Sequence, residues 1–106
     1  MAWLRVCGDH ELPPGRARTV ETAAGRVAVF RAEDGALFAI EDRCPHRGAA
    51  LSQGVLYDVH KVACPDHGWT IDLTSGKVEL PERGAVRTFA VKTVDGEVLV
   101  ALPPGA

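Results

Sequence analysis

Aromatic side chains are scarce, 6% of 106 residues, and there is a single methionine. A core built from this chain must rest on Val, Leu, Ala and Ile. No stretch approaches the roughly 18 apolar residues that a membrane helix requires. Met1–Leu12 also lacks the basic start and apolar run of a signal peptide. Neither sign of charge dominates: 12 Lys and Arg stand against 14 Asp and Glu, a formal net charge of −2. That near-balance argues against general nucleic-acid binding, which calls for a basic stripe. The three cysteines, Cys7, Cys44 and Cys64, are too few, and odd in number, for a secreted disulfide framework. A cytoplasmic setting is expected. Internal repeats and linkers are missing as well, so residues 1–106 are expected to form a single domain.

What the chain does contain is β pattern from end to end. Short apolar or alternating runs rich in Val, Leu, Ile, Thr and Phe are separated by Gly-containing turns. They predict strands at Trp3–Val6, Arg16–Thr22, Arg26–Arg31, Ala36–Glu41, Val55–Tyr57, Lys61–Ala63, Trp69–Leu73, Lys77–Leu80, Arg87–Lys92 and Glu97–Ala101. Asp34-Gly35 and Asp95-Gly96 read as two-residue hairpin turns with positive φ at both central positions. No segment carries a sustained helical period. The expected fold class is all-β, a turn-rich antiparallel sandwich or small barrel. Phe30, Phe38 and Phe89 read as core, Cys7 as a buried small hydrophobe, and His10 and His60 as surface residues.

Two loops break the strand pattern in the same way. Cys44-Pro45-His46-Arg47-Gly48 and Cys64-Pro65-Asp66-His67-Gly68 each hold a Cys, a Pro after it, a His and a Gly. Written out, this is C-x-H, seventeen intervening residues, then C-x-x-H. Four soft or borderline ligands on two tight loops make a metal-site composition. The prolines stiffen each loop, and Gly48 and Gly68 are expected to let backbone approach a bulky group. A structural zinc site with two Cys and two His is one reading, although zinc knuckles usually pair Cys with Cys and His with His. An iron–sulfur centre is the other.

At these residues the chain resembles the Rieske family, whose [2Fe–2S] cluster has two His in place of two Cys on one iron. The resemblance implies that Cys44 and Cys64 bind one iron and that His46 and His67 bind the other. It implies stacked antiparallel sheets with the two cluster-binding loops at one end. Arg47, Gly48, Asp66, Gly68 and Trp69 would then surround the cluster or its docking face, with Arg43 and Arg47 placed to steer an acidic partner. Two ferric ions, two sulfides and two thiolates cancel in charge, so the oxidised core is neutral and easier to reduce than an all-cysteine cluster. Ala49 and Asp66 stand where high-potential respiratory members carry disulfide cysteines, and Trp69 and Ile71 where they carry hydroxyl donors. A potential at the low end, about −150 mV or somewhat above, is expected.

A second resemblance is narrower. Gly25–Arg31, Asp34–Ile40, Cys44–Gly48, Leu51–Gly54, Val62–Leu73 and Arg87–Val91 together are similar to the small subunit of assimilatory NAD(P)H-dependent nitrite reductase. The Trp69–Leu73 segment is the most discriminating piece, since Rieske ferredoxins more often read G-x-x-F-D there. Pro65-Asp66-His67-Gly68 departs from the commoner Pro-Leu-His-Asn of that group, and Ala85 stands where a Cys is frequent. This resemblance implies a non-catalytic electron-transfer subunit of an oxidoreductase. Its partner would be a large flavin- and siroheme-containing chain that reduces nitrite to ammonium. The alternative is a free Rieske-type ferredoxin, carrying electrons from a flavoprotein reductase to a ring-hydroxylating oxygenase. Beyond the loops only His10 and His60 remain, too few for a mononuclear iron site, so no substrate site is expected.

Overall fold

The computed structural model describes residues 2–66 and 68–102. The ten strands among them are, in chain order, β1 (Ala2–Gly8), β2 (Ala17–Thr22), β3 (Gly25–Arg31), β4 (Leu37–Glu41), β5 (Val55–Tyr57), β6 (Lys61–Ala63), β7 (Thr70–Asp72), β8 (Thr88–Phe89), β9 (Val91–Val94) and β10 (Glu97–Leu102). They pair into three antiparallel sheets, ordered β1-β10-β9, β2-β3-β4-β8 and β5-β6-β7. Two short 3₁₀ turns, Asp9–Glu11 and Leu51–Gln53, punctuate the connections.

The four-stranded sheet is the middle layer, and β3 shows it. Val27, Ala28, Val29 and Phe30 are all buried, where a strand covered on one face alone would alternate. Val27 and Val29 pack with Cys7, Leu12, Val98 and Val100 on the side of the β1-β10-β9 sheet. Ala28 and Phe30 pack with Ile40, Leu51, Val62 and Ile71 on the side of the β5-β6-β7 sheet. Full burial of a side chain such as Phe30 stabilises by about 2–3 kcal/mol. The expected all-β class of stacked antiparallel sheets holds.

Two strand expectations fail for identifiable reasons. Arg87–Lys92 is not one strand. The chain leaves the middle sheet after Phe89, which pairs with Ala39, and joins β10 from Val91 onward. Lys77–Leu80 forms only isolated bridges, Ile71 with Val78 and Lys77 with Ala85, because the segment folds back on itself before Gly84. The Asp95-Gly96 turn has positive φ at both residues, as expected, with Val94 and Glu97 paired across it. At Asp34-Gly35 only Gly35 has positive φ, and the loop is wider, since Arg31 pairs with Leu37. There Asp34 Oδ1 accepts from the Ala36 amide instead.

His60, expected at the surface, is half-buried. Its Nε2 lies 2.8 Å from Asp34 Oδ2, and its ring packs against Phe38 at 4.8 Å between centroids. This contact links the β5–β6 turn to the middle sheet. The Ala36 amide and then His60 hold the Asp34 carboxyl below its ordinary value. Its contribution is therefore complete above the ordinary carboxylate range and is lost as pH falls through the lowered value. The same β5–β6 turn carries a strained residue, Val59 at φ +66, with a β-branched side chain 48% exposed. A left-handed conformation costs such a residue about 1–2 kcal/mol. Val59→Gly should raise the thermal midpoint by a few degrees, and Asp34→Asn should flatten the acid limb of the stability–pH curve. Scanning calorimetry of the intact protein across pH checks both.

Candidate metal centre

The first Cys–His loop follows β4 of the middle sheet and the second joins β6 to β7 of the sheet on its Phe30 side, and both close by the same pair of backbone bonds. The Gly48 amide donates to the Cys44 carbonyl at 2.8 Å, and the Cys44 amide donates to the Ala49 carbonyl at 2.8 Å. In the second loop the Gly68 amide donates to the Cys64 carbonyl at 3.1 Å, and the Cys64 amide donates to the Trp69 carbonyl at 2.7 Å. Each ring ends at a glycine in the left-handed region, φ +77 at Gly48 and +72 at Gly68. A Cβ at Gly68 would meet no protein atom within 4 Å. Both glycines are therefore required by backbone conformation.

These rings aim both cysteines inward. Cys44 and Cys64 are 1% and 3% exposed, belong to the core that holds Phe30, Ile40 and Leu51, and form no disulfide. The two thiols are neighbours in this core, each near enough to influence the other's charge. Burial pushes the Cys64 thiol up; the Asp66 amide donating to its sulfur lowers it, and neighbouring Cys44 raises it again. Two adjacent thiolates in a hydrophobic core repel unless a cationic group lies between them, so this donor set fits an iron centre.

His46 is half-buried, with its Nδ1 shielded from solvent. Its ring stacks on Trp69, with centroids 4.4 Å apart and planes inclined by 17°. Trp69 thus closes the second loop through its carbonyl and braces the first loop through its indole. It serves as core packing as well, lying against the buried cluster. Arg47, Gly48 and Gly68 are exposed at the loop tips, and Asp66 is half-buried. His67 lies outside the described residues.

Sequence reasoning missed Asp42. It is the one buried charged residue among those described, and it is 7% exposed. Its Oδ1 accepts from the Ser52 amide and its Oδ2 from the Ser52 hydroxyl, both at 2.7 Å. Its own amide donates to the Arg26 carbonyl at 2.9 Å. The carboxylate is a clasp across the neck of the first loop, holding both ends of the segment that carries Cys44 and His46. A D-x-C pattern followed by a serine eight residues after the cysteine was visible, but nothing in it announced burial.

A family model for the Rieske [2Fe-2S] domain matches residues 2–90. The chain belongs to the Rieske family. Its cofactor is accordingly a [2Fe–2S] cluster with Cys and His ligands, and its chemistry is electron transfer. The chain is 39% identical to the 3-phenylpropionate/cinnamic acid dioxygenase ferredoxin subunit of Photorhabdus laumondii, over 96% of each chain. It is 36% identical to a chain of the complex of reduced oxygenase and oxidized ferredoxin in carbazole 1,9a-dioxygenase. That match covers 93% of this chain and 92% of the other, with TM-score 0.83. It is 28% identical to a structure assigned as an NADH-dependent nitrite reductase small subunit from Mycobacterium tuberculosis, over 96% of each, with TM-score 0.86. By contrast, it spans only 23% of a cholesterol 7-desaturase and 30% of a 4beta-methylsterol monooxygenase among its relatives. Among the described residues, no helix is long and apolar enough to cross a membrane.

Removing the Asp42 clasp should loosen the cluster end of the fold. Asp42→Ala leaves the Ser52 amide and hydroxyl without their acceptor and should cost about 2–3 kcal/mol, against about 1 kcal/mol for Ser52→Ala. Thermal midpoints and iron-to-protein ratios after identical purification check this, with both values lowest in Asp42→Ala.

Proposed function

We propose that residues 1–106 act as a single-domain Rieske-type ferredoxin in the cytoplasm. In this reading Cys44 and Cys64 supply the thiolates and His46 and His67 the imidazoles. The bound cluster supplies reversible one-electron chemistry. The chain's own residues keep water from the thiolates, fix the imidazole of His46 against Trp69 and present the loop tips to partners. The partners are a flavoprotein reductase and a ring-hydroxylating oxygenase. The observation that carries this reading is the end-to-end similarity to a dioxygenase ferredoxin subunit at 39% identity. The departures at Asp66, Gly68 and Ala85 from the nitrite reductase pattern point the same way.

This reverses the order of the two readings drawn from the sequence. The nitrite reductase small subunit remains the second reading, supported by the Trp69–Leu73 segment and by the full-length likeness to the mycobacterial structure. Anaerobic capture of the tagged protein from its own cells, followed by an optical spectrum and subunit identification, separates them. A reductase flavoprotein and an oxygenase co-eluting support the ferredoxin; siroheme bands overturn it. For the ligand set, His67→Cys exchanges a neutral imidazole for a thiolate and should lower the midpoint potential by more than about 100 mV. An unchanged potential in the loaded variant would remove His67 from the ligand set.

A further inference from the structure

The loop at residues 80–85 completes a surface that the sequence did not reveal. Gly84 sits against the first cluster loop, close enough that a Cβ there would lie 3.2 Å from Pro45 Cβ. Leu80, in the same loop, is 74% exposed, the most exposed large hydrophobic residue among those described. With Val78 and Arg83 it lines a shallow hollow of about 350 Å³. Pro45, Pro65 and Pro81 are exposed as well. Arg83 lines this hollow, and Arg47 stands exposed at the tip of the first cluster loop, two residues past Pro45. The exposed Arg43 has its guanidinium folded over Gly48, beside a second hollow that Glu21, Arg26 and Glu41 also line. None of the three forms an ion pair among the described residues. Of the other nine cations, Arg5, Arg18, Arg26, Arg31, Arg87 and Lys61 are bridged to a carboxylate among the described residues, and Arg16, Lys77 and Lys92 are not. The carboxylates near the three arginines are Asp66 and Glu82 at the loops, with Glu21, Glu41 and the buried Asp42 on the Arg43 side. Of these, Glu21, Glu41 and Asp42 are already engaged with Arg26, Arg87 and Ser52.

We infer that Leu80 and the arginines Arg43, Arg47 and Arg83 form a docking surface for a redox protein that rings its electron-transfer site with carboxylates around an apolar spot. The inference rests on the electron-transfer reading above and adds the chemistry of the partner's face. Arginine left unpaired beside an exposed apolar residue favours an acidic, partly apolar partner, and the local field steers its approach although the whole chain carries −2.

Small redox ions test the local charge without any protein partner. One electron passes from the reduced holoprotein to ferricyanide, giving ferrocyanide, or to tris(phenanthroline)cobalt(III), giving the cobalt(II) complex. Stopped-flow rates between about 0.02 and 0.5 M salt should fall several-fold for the anion and rise for the cation. The combined variant Arg43→Glu, Arg47→Glu, Arg83→Glu should reverse both trends, with Arg47→Glu alone weakening them if the triple variant does not fold. Rates that follow the net negative charge in the native protein overturn the surface. A binding readout needs no electron transfer. Immobilised poly(Glu,Tyr) should hold the holoprotein to higher salt than polyglutamate does, and Leu80→Ser should erase that difference. Equal elution of the native protein from both removes Leu80 from the surface. Because none of these probes involves an oxygenase, a failed oxygenase reading leaves the result standing, and the reverse also holds.

Discussion

Two backbone rings, one around each cysteine, set the rest of the architecture. Each is closed by an amide at the glycine four residues on and a carbonyl one residue further, and together they place two thiols side by side in a hydrophobic core. Neighbouring buried thiolates are an unfavourable end point for a protein without a cationic group to separate them. The middle sheet, covered on both faces, gives this arrangement a rigid floor. The Asp42–Ser52 clasp and the Trp69 stack then fix the neck of the first loop and its imidazole from two sides.

The loops are nearly symmetric, and their asymmetry carries the specificity. Where the first loop ends in Ala49, the second ends in Trp69, whose indole reaches across to His46. Only one side chain is therefore needed to couple the two ligand-bearing segments mechanically. The outer rim differs from the interior in the same economical way. Half of the twelve Lys and Arg side chains are matched to carboxylates among the described residues, while three of the unmatched arginines, Arg43, Arg47 and Arg83, lie in or near the loops at the cluster end. A nearly neutral protein can thus present a basic face where an electron leaves or arrives.

Much of this was legible in the residues. The Cys-Pro and His-Gly spacing is local, so the metal site could be read before any fold was known, and alternation with Gly turns gave the strands. What stayed hidden depends on contacts distant in sequence. Arg87–Lys92 reads as continuous because alternation persists while the chain changes sheets at Ala90. His60 reads as a turn residue because Asp34 and Phe38 lie far upstream. Asp42 reads as a solvated acid because its burial follows from Ser52 folding back over it. Leu80 reads as the end of a strand, and its place beside the first cluster loop shows only once Gly84 is seen against Pro45. The partner's identity was the least legible feature, since ferredoxins and nitrite reductase small subunits share this fold.

The central claim is that the matched loops hold one [2Fe–2S] cluster through two thiolates and two imidazoles. Pulsed EPR of the dithionite-reduced protein with ¹⁵N-histidine labelling tests it most directly. The account predicts strong couplings to two histidine nitrogens, one of them lost in a cluster-containing His46→Cys variant. A reduced cluster with no histidine coupling, or a colourless protein that holds zinc, would contradict it.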